Sequence, residues 1–265
     1  MEQHRIAWID SLPPFRLLAN IIRAFARIEN DISQQSLVRA IEQDPVVAAR
    51  LVATANSSFY SPCQPINTVG ASIMKIGLRD TKSFLFRIIL KERFPSTSKI
   101  FSTAHYWYDT MMTARIASII ANKKATCPSS SDSLYTLGLL NSVGILLLVY
   151  QFPDEMADIL NSDNINASIT ETFGMDYHQI GARLLNHWGL PDSITSHISQ
   201  LTSTPEFSVE THILRESKKL IKLIANKQHD DDDEVVIRMN EHETYSLKFY
   251  SDVHDEVVET LKLLH

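Results

Sequence analysis

Glycine is scarce, with seven among 265 residues. Hairpin-rich folds spend glycine on turns, so this count weighs against an all-β architecture and towards helices. Cysteine is scarcer still: Cys63 and Cys127 are the only two. That excludes a disulfide framework and suits a reducing compartment. No long basic stretch occurs, and the formal net charge is −6. A nucleic-acid groove needs clustered Lys and Arg to displace counterions, so the composition argues against one. Met1 to Asp10 is mixed polar and has no apolar signal-peptide core. The most hydrophobic run, Leu137 to Phe152, spans 16 residues and contains Asn141, Ser142 and Gly144. A membrane span needs about 20 mostly apolar residues, so a buried core helix is expected, in a cytoplasmic protein without an anchor.

What is present is apolar spacing of helical period, with 44% hydrophobic and 21% charged residues, ordinary values for a globular chain. Leu17, Leu18, Ile21, Ile22, Phe25 and Ile28 mark one face of a first helix, and Leu37, Ala40 and Ile41 that of a second. Asp44 caps and Pro45 opens a third, which buries Val47, Leu51 and Thr54 or its neighbours. Ile66 to Ile76 reads as a short helix ended by Gly77, and Asp80 to Leu90 as the next. Phe94 to Ser98, with Pro95 and its hydroxyl residues, reads as a hinge. Beyond it, Trp107, Met111, Ala114, Ser118 and Ala121 form a helical stripe. Cys127 to Ser133 is a Ser-rich loop, and an apolar helix runs from Leu134. Further helices start at Pro153, cover His178 to Trp188, and carry Ile213, Leu220 and Ile224. Asp230 to Glu234 reads as a solvated acidic loop, the alternative being a cation or basic-partner site. Val235 to Phe249 reads as a short hairpin or loop. Val253, Val257, Leu261 and Leu264 mark a closing helix.

Four blocks resemble, in order, the HDOD family, the HD-related output domains of bacterial signalling proteins. They are SLPPFRLLANII (Ser11 to Ile22), LVRAIEQDPVVAARLVATANSSFY (Leu37 to Tyr60), INTVGASIMKIGLRDTKSFLF (Ile66 to Phe86) and YHQIGARLLNHWGLPDSI (Tyr177 to Ile194). The resemblance implies an all-α, two-lobed fold. An N-terminal helical bundle would cover residues 1–95. A lobe related to the HD phosphohydrolase core, with the C-terminal helices, would cover 96–265.

HD hydrolases use a divalent metal to activate water and neutralise phosphate charge. The family's signal is a His-Asp pair within an apolar stretch, with an earlier His and a later Asp. The matching stretch is GLLNSVGILLL (Gly138 to Leu148), and Asn141 and Ser142 stand at the His-Asp positions. A neutral amide and a hydroxyl are poor metal donors. Asp109 stands where the early His is expected, four residues from His105, and that pair reads as a surface contact. Leu201 and Thr202 stand where related sequences often carry histidines. The two literal His-Asp dipeptides, His229-Asp230 and His254-Asp255, follow no buried apolar run. The first opens the acidic loop and the second lies at a polar helix start.

The resemblance therefore implies an erased metal site: no catalytic residue, no cofactor and no metal. His178 reads as a helix-start packing residue, or else as a contact at the lobe interface. His187 and Trp188 read as anchors of their helix end, and Asn56 and Ser57 as a polar cap or as a bond across the lobes. Any regulation is expected between the lobes, near Asn56 to Tyr60 and His178. The expected function is a non-catalytic signalling module that binds a protein partner or small ligand. It would act as a separate protein, since no kinase, receiver or cyclic-dinucleotide pattern accompanies it. The alternatives are a divergent metal-dependent phosphohydrolase acting on nucleotides and a DNA-binding regulator misread from Ser33 to Tyr60. Restoring the dipeptide with Asn141→His and Ser142→Asp is expected to leave hydrolysis absent. It should cost about 2–5 kcal/mol for an unpaired buried carboxylate.

Overall fold

The computed structural model describes residues 7–12, 16–29, 34–60, 64–94, 101–123, 127, 129–202, 208–227, 236–240 and 243–262. Helices dominate. The first set is α1 (Ala7–Asp10), α2 (Arg16–Glu29), α3 (Gln35–Glu42), α4 (Pro45–Ala55), α5 (Val69–Ile76) and α6 (Leu78–Arg93). The second is α7 (Thr103–Lys123), α8 (Ser131–Leu140), α9 (Val143–Gln151), α10 (Pro153–Leu160), α11 (Ile165–Phe173), α12 (Tyr177–His187), α13 (Asp192–Ser199) and α14 (Val209–Lys227). A two-stranded antiparallel hairpin follows, β1 (Val236–Asn240) and β2 (Glu243–Ser246), and α15 (Leu247–Lys262) ends the chain. The hairpin falls in the segment left open between hairpin and loop.

Local chemistry sets most helix starts. The Asp44 side chain accepts from the backbone N–H of Val46 and Val47, with Pro45 at the first helical position, where its missing N–H costs nothing. α4 buries Val47, Leu51 and Ala55, while Thr54 is half-buried. Thr68 caps α5 through the Ala71 N–H, so that helix begins three residues after Ile66. Gly77 closes it at φ 88°, a conformation that suits glycine. The next helix begins at once, at Leu78 rather than Asp80.

α6 is buried along its whole stretch from Thr81 to Leu90 and reaches into the second set of helices. Lys82 donates to the Thr136 hydroxyl at 3.1 Å, with its ammonium 4.7 Å from the Phe25 ring centroid. Ser83 meets the Tyr135 hydroxyl. Phe94 stacks on Trp188, while residues 95–98 of the expected hinge lie outside the described ones, as does the acidic run. The N-terminal segment is tied on as well. Arg183 pairs with Asp10, His187 Nε2–H donates to the Leu12 carbonyl at 2.6 Å, and Arg23 donates to the Gly189 carbonyl at 2.7 Å.

The apolar run is a core element. Ser131 to Gln151 is long and apolar enough to cross a membrane, yet 78% of its most apolar window is buried inside the protein. It is broken at Asn141–Ser142 into α8 and α9.

Candidate functional site

The break between α8 and α9 places Asn141 and Ser142 against the start of α12. Two glycines permit the approach. A Cβ on Gly144 would lie 1.9 Å from the Tyr177 carbonyl oxygen and 2.9 Å from the Gly181 nitrogen. Only bare backbone on both helices fits there. At the other side, Asp176 caps α12 in a reciprocal capping box with Gln179. The Asp176 carboxylate accepts from the N–H of His178 and Gln179 at 2.8 and 3.0 Å. Burial opposes its charge, but hydrogen bonds from His178 and the Gln179 backbone hold its carboxyl below the usual range.

These constraints assemble a buried polar cluster. Asn141, 1% exposed, turns its amide nitrogen onto the Gly138 carbonyl. Its Oδ1 accepts from the Ser142 hydroxyl at 2.7 Å. The same oxygen accepts from Lys218 Nζ at 2.9 Å. Lys218, on α14, also donates to the Tyr177 hydroxyl at 3.0 Å and lies 3.1 Å from His178 Nε2. His178 Nδ1 lies 2.8 Å from the Thr202 hydroxyl. Because Nε2 faces an ammonium, which has no acceptor, the lone pair must be on Nε2 and the proton on Nδ1, where Thr202 receives it. Arg215 donates to the carbonyls of Leu201 and Gln200 at 2.6 and 3.2 Å, fixing the turn that carries Thr202. Burial first, and the Lys218 charge second, push the His178 imidazole down to about 3.

The expected site residues divide. Asn141 and Ser142 are in the cluster. Asp109 borders it: burial raises its carboxyl, against the charges of His105, Lys218 and Lys222. Its carboxylate lies 3.2 Å from His105 Nε2, an exposed contact of the kind the spacing implied. Leu201 is buried, and Thr202 serves as the acceptor for His178. The polar partners of His178, namely Asp176, Thr202 and Lys218, all follow residue 101 in the chain. Asn56 bonds Val52 and both backbone groups of Ile66, so it caps α4 within the first lobe. The hydrogen bonds of Asn56 thus stay within the first set of helices. His254 lies inside α15, not at a helix start, and its Nδ1 lies 2.7 Å from the Tyr108 hydroxyl. His229-Asp230 lies outside the described residues.

Lys218 and Tyr177 are the participants that sequence reading passed over. One signal existed: Leu214, Lys218 and Ile221 share a face of α14, and Leu214 and Ile221 are buried. A lysine on an apolar stripe is a polar group in need of partners.

A divalent metal does not fit these residues. It needs several lone-pair donors held around an open position. Here the cluster offers an amide, three hydroxyls and one imidazole, the lone pair of that imidazole points at an ammonium, and the neighbouring Asp176 carboxylate accepts from the backbone N–H of His178 and Gln179. No group of three His, Cys, Asp or Glu suited to a metal comes together among the described residues.

The family model for the HDOD domain matches residues 12–203. Among solved structures, an HDOD domain protein of unknown function from Geobacter sulfurreducens superposes with a TM-score of 0.69 at 17% identity, covering 99% of this chain and 95% of that one. A protein from Shewanella amazonensis SB2B, named as a phosphohydrolase, gives 0.68 at 18% identity over 98% of each chain. A protein from Marinobacter aquaeolei VT8, named for signal transduction, gives 0.69 at 20% identity over 96% of this chain. This chain spans 58% of the Marinobacter protein's length. No curated protein matches the chain.

Proposed function

We propose that this chain, which belongs to the HDOD domain family, is a non-catalytic signal-transduction module that acts by binding a protein partner or a small ligand. The observation that carries the proposal is the Asn141–Ser142 pair. At the positions where the family resemblance places imidazole and carboxylate, this chain has an amide whose nitrogen donates to the Gly138 carbonyl and a hydroxyl that donates to the oxygen of that amide. Neither group activates a water, and neither holds the charge that a phosphate-bound metal requires. The net charge of −6 speaks for protein or small-ligand partners over nucleic acid. The competing reading, a divergent phosphohydrolase acting on nucleotides, has the name of the Shewanella protein in its favour. At 18% identity that likeness extends to the fold.

The test is the double variant Asn141→His with Ser142→Asp, assayed with manganese for phosphodiester hydrolysis and for thermal stability together. The proposal predicts no turnover, because a working site needs three or more donors and partners that orient each imidazole. It also predicts a loss of stability. The loss should be smaller than the sequence implied, about 1–3 kcal/mol, because Lys218 lies within reach of a carboxylate at position 142 and partly neutralises it. Turnover by a stabilised variant would contradict the proposal.

A further inference from the structure

We infer that Lys218 is the resident cation of this site, taking up the lone pairs that a divalent metal would have to use and latching α14 to the core. An ammonium carries three protons. Three acceptors surround Nζ at 2.9, 3.0 and 3.1 Å: Asn141 Oδ1, the Tyr177 hydroxyl and His178 Nε2. They come from two different places, the α8–α9 junction and the start of α12. All three acceptors are neutral, so each bond is charge-assisted from one side only. Asn141 and His178 are 1% and 5% exposed, so water does not compete for them. The side chain therefore fills the cluster and does not merely border it.

The consequence for chemistry is direct competition. The only imidazole nitrogen with a lone pair in the cluster is His178 Nε2, and the only amide oxygen is Asn141 Oδ1. Lys218 occupies both. A divalent ion would have to displace a positive charge from the same two atoms, and Coulomb repulsion at such distances is large in a buried site. The consequence for structure is a latch. The matched family region ends at residue 203, and α14 begins at Val209. The Lys218 contacts thus tie a helix beyond that region to the pair of helices at its centre. The charged and titratable groups around the imidazole are Asp176 and Tyr177 on the α12 side and Lys218 and Arg215 on α14, and Asp109 on α7 feels the charge of the same Lys218. The latch concerns the same cluster as the functional proposal but does not depend on it, since hydrolysis at some other group would leave Lys218 where it is.

The experiment is nitrogen NMR of the His178 ring in the full-length protein, wild type against Lys218→Met and Lys218→Arg, with thermal melting of each. In the wild type, the expected spectrum is a single neutral ring protonated at Nδ1, unmoved when zinc is added at equal concentration. Lys218→Met should lose several degrees of melting temperature and shift the Nε2 resonance. Lys218→Arg keeps the charge and should recover part of both. A wild-type ring protonated at Nε2, or a ring that shifts with zinc, would overturn the inference, as would a Lys218→Met protein with unchanged melting and ring shifts. If Lys218→Met does not fold, the wild-type spectrum alone decides between these outcomes. Metal-dependent turnover by a wild-type protein whose ring remains Nδ1-protonated and zinc-insensitive would refute the functional proposal and leave this inference standing.

Discussion

At His178 the fold keeps a histidine neutral far below its ordinary range. Burial is the larger cause and the Lys218 charge the next. The link to stability follows from proton counts. Above the unfolded value of about 6.5 both states are neutral and no difference arises. Between there and about 3, the unfolded chain takes up a proton that the folded one refuses. Stability from this group is therefore present above pH 6.5 and lost as pH falls towards 3, with a slope of at most about 1.4 kcal/mol per pH unit. Denaturant unfolding between pH 7 and 5 should show the loss, and His178→Gln should flatten it. An equal slope in that variant would place the acid sensitivity elsewhere. The same residue shows what sequence could and could not carry. The HDOD-like block around Tyr177 to Ile194 marked His178 as worth watching, but its partners Thr202 and Lys218 stand 24 and 40 residues away. No local spacing announces contacts of that length.

At the scale of elements, one crossing matters most to the site. α9 and α12 meet backbone to backbone at Gly144 and Gly181, where a Gly144 Cβ would lie 1.9 Å from the Tyr177 carbonyl oxygen. The obstacle is backbone, so no side chain can rotate away. Gly144→Ala should therefore cost about 3 kcal/mol or more. It should also displace Tyr177 and His178 from Lys218. Chemical denaturation gives the first quantity, and an unchanged midpoint would mean that the helices separate at little cost. Element starts were the most legible part of the fold. Asp44-Pro45 and Gly77 mark boundaries through local backbone chemistry, and both act where the sequence placed them. The break at Asn141–Ser142 was less visible, because Leu137 to Phe152 is apolar on all sides and shows no change of period. It is a tertiary feature, held by the Asn141 side chain bonding back to Gly138 and out to Lys218.

At the scale of the molecule, the all-helical class and the family were legible from glycine scarcity, helical spacing and four ordered motifs, and the family match covers residues 12–203. The small hairpin after α14 lay outside what periodicity could decide, since Val235 to Phe249 alternates imperfectly. Charge is uneven along the chain: residues 1–94 hold 12 Lys and Arg against 8 Asp and Glu, whereas residues 95–265 hold 13 against 23. What sequence did not reveal was the Lys218 cation, because an isolated lysine in a helix is ordinarily a solvated one.

We propose that this HDOD family member, with Asn141 and Ser142 in its buried cluster, performs no metal-dependent hydrolysis. The most direct test is turnover of nucleotide phosphodiesters by the purified wild-type protein with manganese in excess. The account predicts a rate equal to that of buffer with manganese alone. Turnover above that level that a chelator abolishes and added manganese restores would contradict it.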